Sequence, residues 1–135
     1  MTLLELTFDA AAKVDTYKNP DIEEWIAAID PVLASLGKGC IGTDTVDSIL
    51  ADEKFVHILT SYTSMSCPDT NSVSIPMAII EASNPVHAAK IFNVDNRIRL
   101  TNDGIEGSRK AIAYAEESLA ALYAEKFALE NPQVA

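Results

Sequence analysis

Apolar residues recur along this chain with two periods, and the change from one to the other marks out its elements. Ile22, Trp25, Ile26, Ile29, Leu33 and Leu36 follow the i, i+3, i+4, i+7 spacing of a single helix face. Asn19 can cap that helix, Pro20 suits its first position, and Gly37 or Gly39 can end it in a left-handed conformation. Pro31 removes a hydrogen bond from the pattern, which predicts a kink or a restart at Asp30-Pro31. From Phe55 to Met65 the period is two, with Val56, Ile58, Thr60 and Tyr62 on one side and Phe55, His57, Leu59 and Ser61 on the other. A turn-rich stretch, Ser66 to Asn71, separates this strand from a second at Val73 to Ala82, so the two should form an antiparallel hairpin. Pro76 makes the second strand an edge or bulged one.

Elsewhere the patterns are shorter. Leu4, Leu6 and Phe8 alternate with polar residues and predict a strand, with a helix, into which Ala10 to Val14 could pull the stretch, as the alternative. Val46, Ile49 and Leu50 give Asp44 to Ala51 the spacing of a short helix. Asn84-Pro85 repeats the cap-and-proline signature and opens a helix of about two turns, Val86 to Phe92. A strand over about 94–101 follows, with Arg97, Arg99 and Thr101 on one face and Ile98 and Leu100 on the other. A long last helix then runs from about Gly104 to Glu130 along a seam of Ile112, Ala115, Leu119 and Leu122. Asp103 and Glu106 stand at capping-box spacing at its start, and Asn131 to Ala135 form a frayed tail. These elements predict a single α+β domain over 1–135, a mainly antiparallel sheet with helices packed on one face and a long C-terminal helix.

Composition narrows the function. The chain has 135 residues, 48% of them hydrophobic, enough for a core without metal or disulfide. Its formal net charge is −10, which repels nucleic acid and anionic lipid; neither is expected as a partner. No apolar run approaches a bilayer span and no signal-peptide pattern opens the chain, so a soluble, cytoplasmic protein is expected. Cys40 and Cys67 have no zinc-ligand spacing and read as reduced thiols, Cys67 in a loop and Cys40 at or near burial. Neither a metal site nor a cofactor fingerprint is present.

The charge is uneven: residues 1 to 60 balance at −7 and residues 85 to 110 at +2. All three arginines, Arg97, Arg99 and Arg109, lie in the second segment. Were Arg97 and Arg99 to rise from a strand that turns into a helix, they would converge with Arg109 and the amides of Gly107 and Ser108 into a pocket for phosphate or carboxylate. The bland alternative is that the arginines solvate the surface or pair with carboxylates. His57 and His87 are the catalytic candidates, being the side chains that titrate near neutrality. His57 reads equally as a hydrogen-bonded boundary residue, and His87 as exposed. The hydroxyl run Thr60 to Ser64 is ordinary for a solvated strand unless a base lies beside it.

Two classes of function follow. The first is a small acidic binding or regulatory protein of inhibitor, sequestering or adaptor type, a homodimer through its sheet face or long helix. It would recognise an anionic small molecule or a protein partner through residues 97–109. The second is a small enzyme acting on a phosphate- or carboxylate-bearing substrate with a histidine as general acid/base.

Overall fold

In the computed structural model, which describes residues 1–64 and 67–132, seven elements follow one another. They are α1 (Leu3–Thr16), α2 (Glu23–Ser35), β1 (Thr45–Ala51), β2 (Phe55–Ser64), β3 (Cys67–Pro76), α3 (Met77–Glu81) and α4 (Pro85–Glu130). The chain divides into two units, Met1–Val94 and Asp95–Ala135. The first is an α+β unit with a three-stranded antiparallel sheet in the order β1-β2-β3. The second is, over its described residues, a helix with a short end. The α+β class is as the periodicities predict, but three elements change type. Met65, Ser66 and residues 133–135, on which the expected strand end, loop start and tail fall, lie outside the described residues.

The first correction is at the N-terminus, where a helix replaces the expected strand. Thr2 caps it, its Oγ1 accepting from the Glu5 N–H at 3.2 Å. Leu3, Leu6, Thr7 and Ala10 are buried, which is helical rather than alternating spacing. The polar Thr7 belongs to the buried face, so an apolar-only reading saw the alternation of Leu4, Leu6 and Phe8 instead. Thr7 Oγ1 donates to the Leu3 carbonyl at 2.7 Å and accepts from Trp25 Nε1 at 3.1 Å, so both buried groups are satisfied and α1 is tied to α2.

α2 starts three residues later than its proline signature implies. Its N-cap is Ile22 without a side-chain bond, and the Asp21 carboxylate reaches the Glu23 N–H at 3.5 Å. The helix runs through Pro31 without restarting. Pro31 is itself exposed, as is Ala27, whose carbonyl loses its helical donor to the proline; water can supply another. Beyond α2, Gly37 takes φ +75°, its N–H bonding the Ala34 carbonyl while the Lys38 N–H bonds that of Leu33. The Asp30 carboxylate then gathers the N–H groups of Ile41 and Gly42 at 2.7 and 3.1 Å and fixes the connection into β1.

The second correction is β1, a strand where the spacing of Val46, Ile49 and Leu50 predicts a helix. Its register against β2 shifts between Val46 and Ser48. That irregularity inserts one residue, so Val46 and Ile49, three apart, both reach the buried face while Leu50 is left exposed. A bulge thus mimicked helical spacing. β2 keeps its expected faces, with Val56, Ile58 and Thr60 buried. β3 pairs with it from Cys67 opposite Ser64 to Pro76 opposite Phe55. The hairpin is therefore present, but the expected loop residues 67–71 lie in the strand, and 77–81 fold as α3. Pro76 ends β3, an edge strand as expected.

Trp25, Ile29, Val32 and Leu33 of α2 pack with Leu6 and Ala10 of α1 and with Val56, Ile58 and Ile75 of the sheet into one core, closed by Ile79, Ile80 and Ala89. The opposite sheet face is open, with Leu50, Phe55 and Leu59 exposed.

The third correction is the largest. One continuous helix of 46 residues, α4, occupies the stretch where a two-turn helix, a strand and a second helix are predicted. Asn84 caps it, its Oδ1 accepting from the His87 N–H at 3.1 Å, and Pro85 is its first residue, as the signature requires. The polar run Asn102-Asp103-Gly104 reads as a turn but is helical, and so is Gly107.

Candidate functional site

The geometry of α4 settles where the arginine segment lies. Arg97, Arg99 and Arg109 share one helix rather than a strand and a helix start. At 100° and 1.5 Å per residue, Arg99 points about 200° from Arg97 around the axis, and Arg109 about 120° from it and about 18 Å further along. They do not converge within the chain. Gly107 and Ser108 lie inside the helix, where backbone N–H groups are committed to carbonyls four residues back, so they present no helix-start amides. Arg99 donates to Asn96 Oδ1 at 2.6 Å and stands 3.9 Å from the Asp103 carboxylate. No side-chain partner is found for Arg97 or Arg109 among the described residues, and all three arginines are exposed. The segment is thus a cationic band around a helix rather than a pocket.

A different constellation forms on the open face of the sheet. His57 in β2 lies opposite Ser74 in β3, and their side chains meet, Nδ1 to Oγ at 2.7 Å. The other ring nitrogen, Nε2, meets Asp52 Oδ2 at 3.1 Å. Asp52 is the turn residue between β1 and β2; its Oδ1 accepts the N–H groups of Lys54 and Phe55 at 2.7 and 2.8 Å. Those two backbone bonds, Phe55 first, hold its carboxyl below the usual aspartate value, and the bond to His57 adds to them. The Phe55 ring lies beside the imidazole, tilted by 38° with centroids 5.9 Å apart. Ser74, His57 and Asp52 therefore form a hydroxyl–imidazole–carboxylate chain in which one atom of Asp52 orients the histidine and the other is anchored by the backbone.

Chemically, such a chain can move a proton from the serine hydroxyl to the imidazole, the arrangement that activates a nucleophile. It is solvent-exposed: the His57 and Asp52 side chains are 45% and 58% accessible. His57 is marked in the sequence by its residue type, and its partners are not. Asp52 was legible as a turn residue five positions away, but Ser74 needed the hairpin register.

The remaining candidates lie apart. His87 is exposed in the first turn of α4. Of the hydroxyl run, Thr60 bonds the Asn71 carbonyl, Ser61 the Asp47 carboxylate and Tyr62 the Asp69 carboxylate, the last raising the Tyr62 hydroxyl above its usual range. Cys40 is exposed, contrary to expectation, its thiol 3.7 Å from the Asp30 carbonyl; Cys67 is exposed at the start of β3 rather than in a loop. Among the described residues, no group of three or more His, Cys, Asp or Glu side chains is placed to hold a metal ion, and no helix is long and apolar enough to cross a membrane. Comparison with known proteins identifies no relative: no family model, no curated protein and no solved structure matches the chain.

Proposed function

We propose that this chain is a small acidic binding protein of adaptor or sequestering type, acting in the cytoplasm as a homodimer and recognising its partner through the arginine segment 97–109 of α4. The observation that supports this reading is the exposure of every residue from Arg97 to Glu130, large apolar side chains included. A helix that displays Ile98, Ile105, Ile112, Leu119 and Leu122 together with a cationic band offers surface for a protein rather than a cleft for a small molecule. Arg97, which precedes the first residue of the apolar repeat, is a donor for a carboxylate, or for a phosphate group, on that partner. Two free thiols, both exposed, suit a reducing compartment.

Affinity capture from the source cell with the parent chain and with an Arg97→Ala/Arg99→Ala/Arg109→Ala variant tests the reading. A protein retained by the parent and lost by the variant is expected. Equal retention of every protein by both would remove the arginine segment from recognition.

A second reading, a small enzyme acting on an anionic substrate with His57 as general acid/base, has one observation in its favour, the Ser74–His57–Asp52 chain. An activated Ser74 would be labelled by a fluorophosphonate, with labelling lost in His57→Ala. A parent protein that takes up no label ends the nucleophilic version of this reading.

A further inference from the structure

The spacing along α4 identifies what covers its apolar side. Ile98, Ile105, Ile112 and Leu119 stand at intervals of seven residues, and Thr101, Ser108, Ala115, Leu122 and Leu129 occupy the interleaved positions three residues on. That is the a and d seam of a coiled coil, which a straight isolated helix has no reason to keep. The unit Asp95–Ala135 holds no second described element against which the seam could fold. Its large members are 46 to 76% exposed.

Charge selects the occupant and its direction. Residues 97–112 carry Arg97, Arg99, Arg109 and Lys110 against Asp103 and Glu106, a balance of +2. Residues 113–130 carry Glu116, Glu117, Glu125 and Glu130 against Lys126, a balance of −3. Each half of this helix is therefore the electrostatic complement of the other half, and only a second copy laid antiparallel brings both matches at once. We propose that two copies of this chain pair antiparallel through residues 98–129, which deepens the homodimer reading above and rests on it.

In the register that places each a residue against a d residue, Ile98 meets Leu129 of the second copy, Ile105 meets Leu122 and Ile112 meets Ala115, each pairing occurring twice about a two-fold axis. Arg109 at an e position faces Glu116 at the e position of the other helix, again twice. Lys126, which occupies an a position, faces Thr101. A parallel pair would instead set Lys126 on Lys126 inside the seam, place Glu125 beside Glu130, and leave Arg109 and Glu116 facing the uncharged Gly104 and Ala111. Arg109, for which no side-chain partner is found among the described residues of its own chain, thus finds one in the second copy.

Orientation is read by disulfide trapping in a Cys40→Ser/Cys67→Ser background. Chains carrying Ile105→Cys, mixed with chains carrying Leu122→Cys, are expected to give a mixed dimer on oxidation, while Ile105→Cys alone gives none. Sedimentation equilibrium of the parent chain is expected to show a dimer. Arg109→Glu should weaken it about tenfold, from two attractive pairs made repulsive, and Arg109→Glu/Glu116→Arg should restore it. Fluorescence of the single tryptophan, Trp25, confirms that the α+β unit of each variant is folded. A dimer that traps through Ile105→Cys alone, or that resists Arg109→Glu, overturns the antiparallel seam and leaves the homodimer standing. A parent chain monomeric at all accessible concentrations overturns both.

Discussion

The two units of this chain use apolar residues in opposite ways. In Met1–Val94, Trp25, Ile29, Leu33, Val56, Ile58 and Ile75 are at most 1% exposed, and the buried indole and hydroxyl of Trp25 and Thr7 satisfy each other. From Arg97 to Glu130 no residue is buried, yet isoleucine or leucine returns at every seventh place from Ile98 to Leu119. The first unit covers one face of its sheet with helices from its own sequence. The second carries a surface of equal regularity that its own fold leaves open. Regular apolar spacing therefore does not by itself mean that the same chain covers it.

Perturbing the two regions should sharpen this contrast. Trp25→Ala opens a cavity at the centre of the first unit and is expected to cost about 3–5 kcal/mol, read as a lower denaturation midpoint by circular dichroism. Thr7→Val preserves shape but leaves the Trp25 N–H buried without an acceptor, at a cost of about 1–3 kcal/mol by the same measurement. In the helix the sign reverses for Gly107→Ala. A Cβ there meets nothing within 4 Å, and the helix should gain about 0.5–1 kcal/mol, visible as a higher melting temperature of its ellipticity. Ile112→Ala, measured at concentrations where the chain is monomeric, should change the stability of the first unit by less than about 0.5 kcal/mol. A loss as large as that of Trp25→Ala would mean that Ile112, like Ala89 of the same helix, belongs to a core.

The smallest effect concerns the β1–β2 turn. Because the folded-state Asp52 carboxyl lies below its ordinary value, its contribution is complete above that value and is lost as pH falls through the depressed one. An acid titration of hairpin stability should show this loss in the parent chain, with a flatter profile in Asp52→Asn. Identical profiles would mean that the two backbone bonds to Asp52 do not hold the turn in solution.

The amino-acid order predicted the elements where a pattern was long or a signal was local. The face of α2, the alternation of β2, the Asn84-Pro85 helix start, Gly37 and the edge character of β3 are all written in neighbouring residues. It failed where one residue altered a period: the β1 bulge made a strand look helical, and buried Thr7 hid a helix face. In α4, two glycines and a run of Asn, Asp and Thr hid a repeat of seven that spans them, and the arginine pocket was lost with the turn on which it depended. His57 was legible as a candidate because its residue type alone marks it; Ser74 was not, because serine is common on strands and only pairing distinguishes one from another.

What the amino-acid order determines by itself is therefore the class of fold, the acidic body with its cationic segment, and the apolar repeat of the last helix, since each is a property of spacing and charge along a line. Tertiary structure alone decided that Asp52, His57 and Ser74 touch and that Arg97, Arg99 and Arg109 do not. Contacts between residues far apart in sequence follow from strand register and from whether a helix continues or breaks, and a single inserted or tolerated residue reverses either outcome.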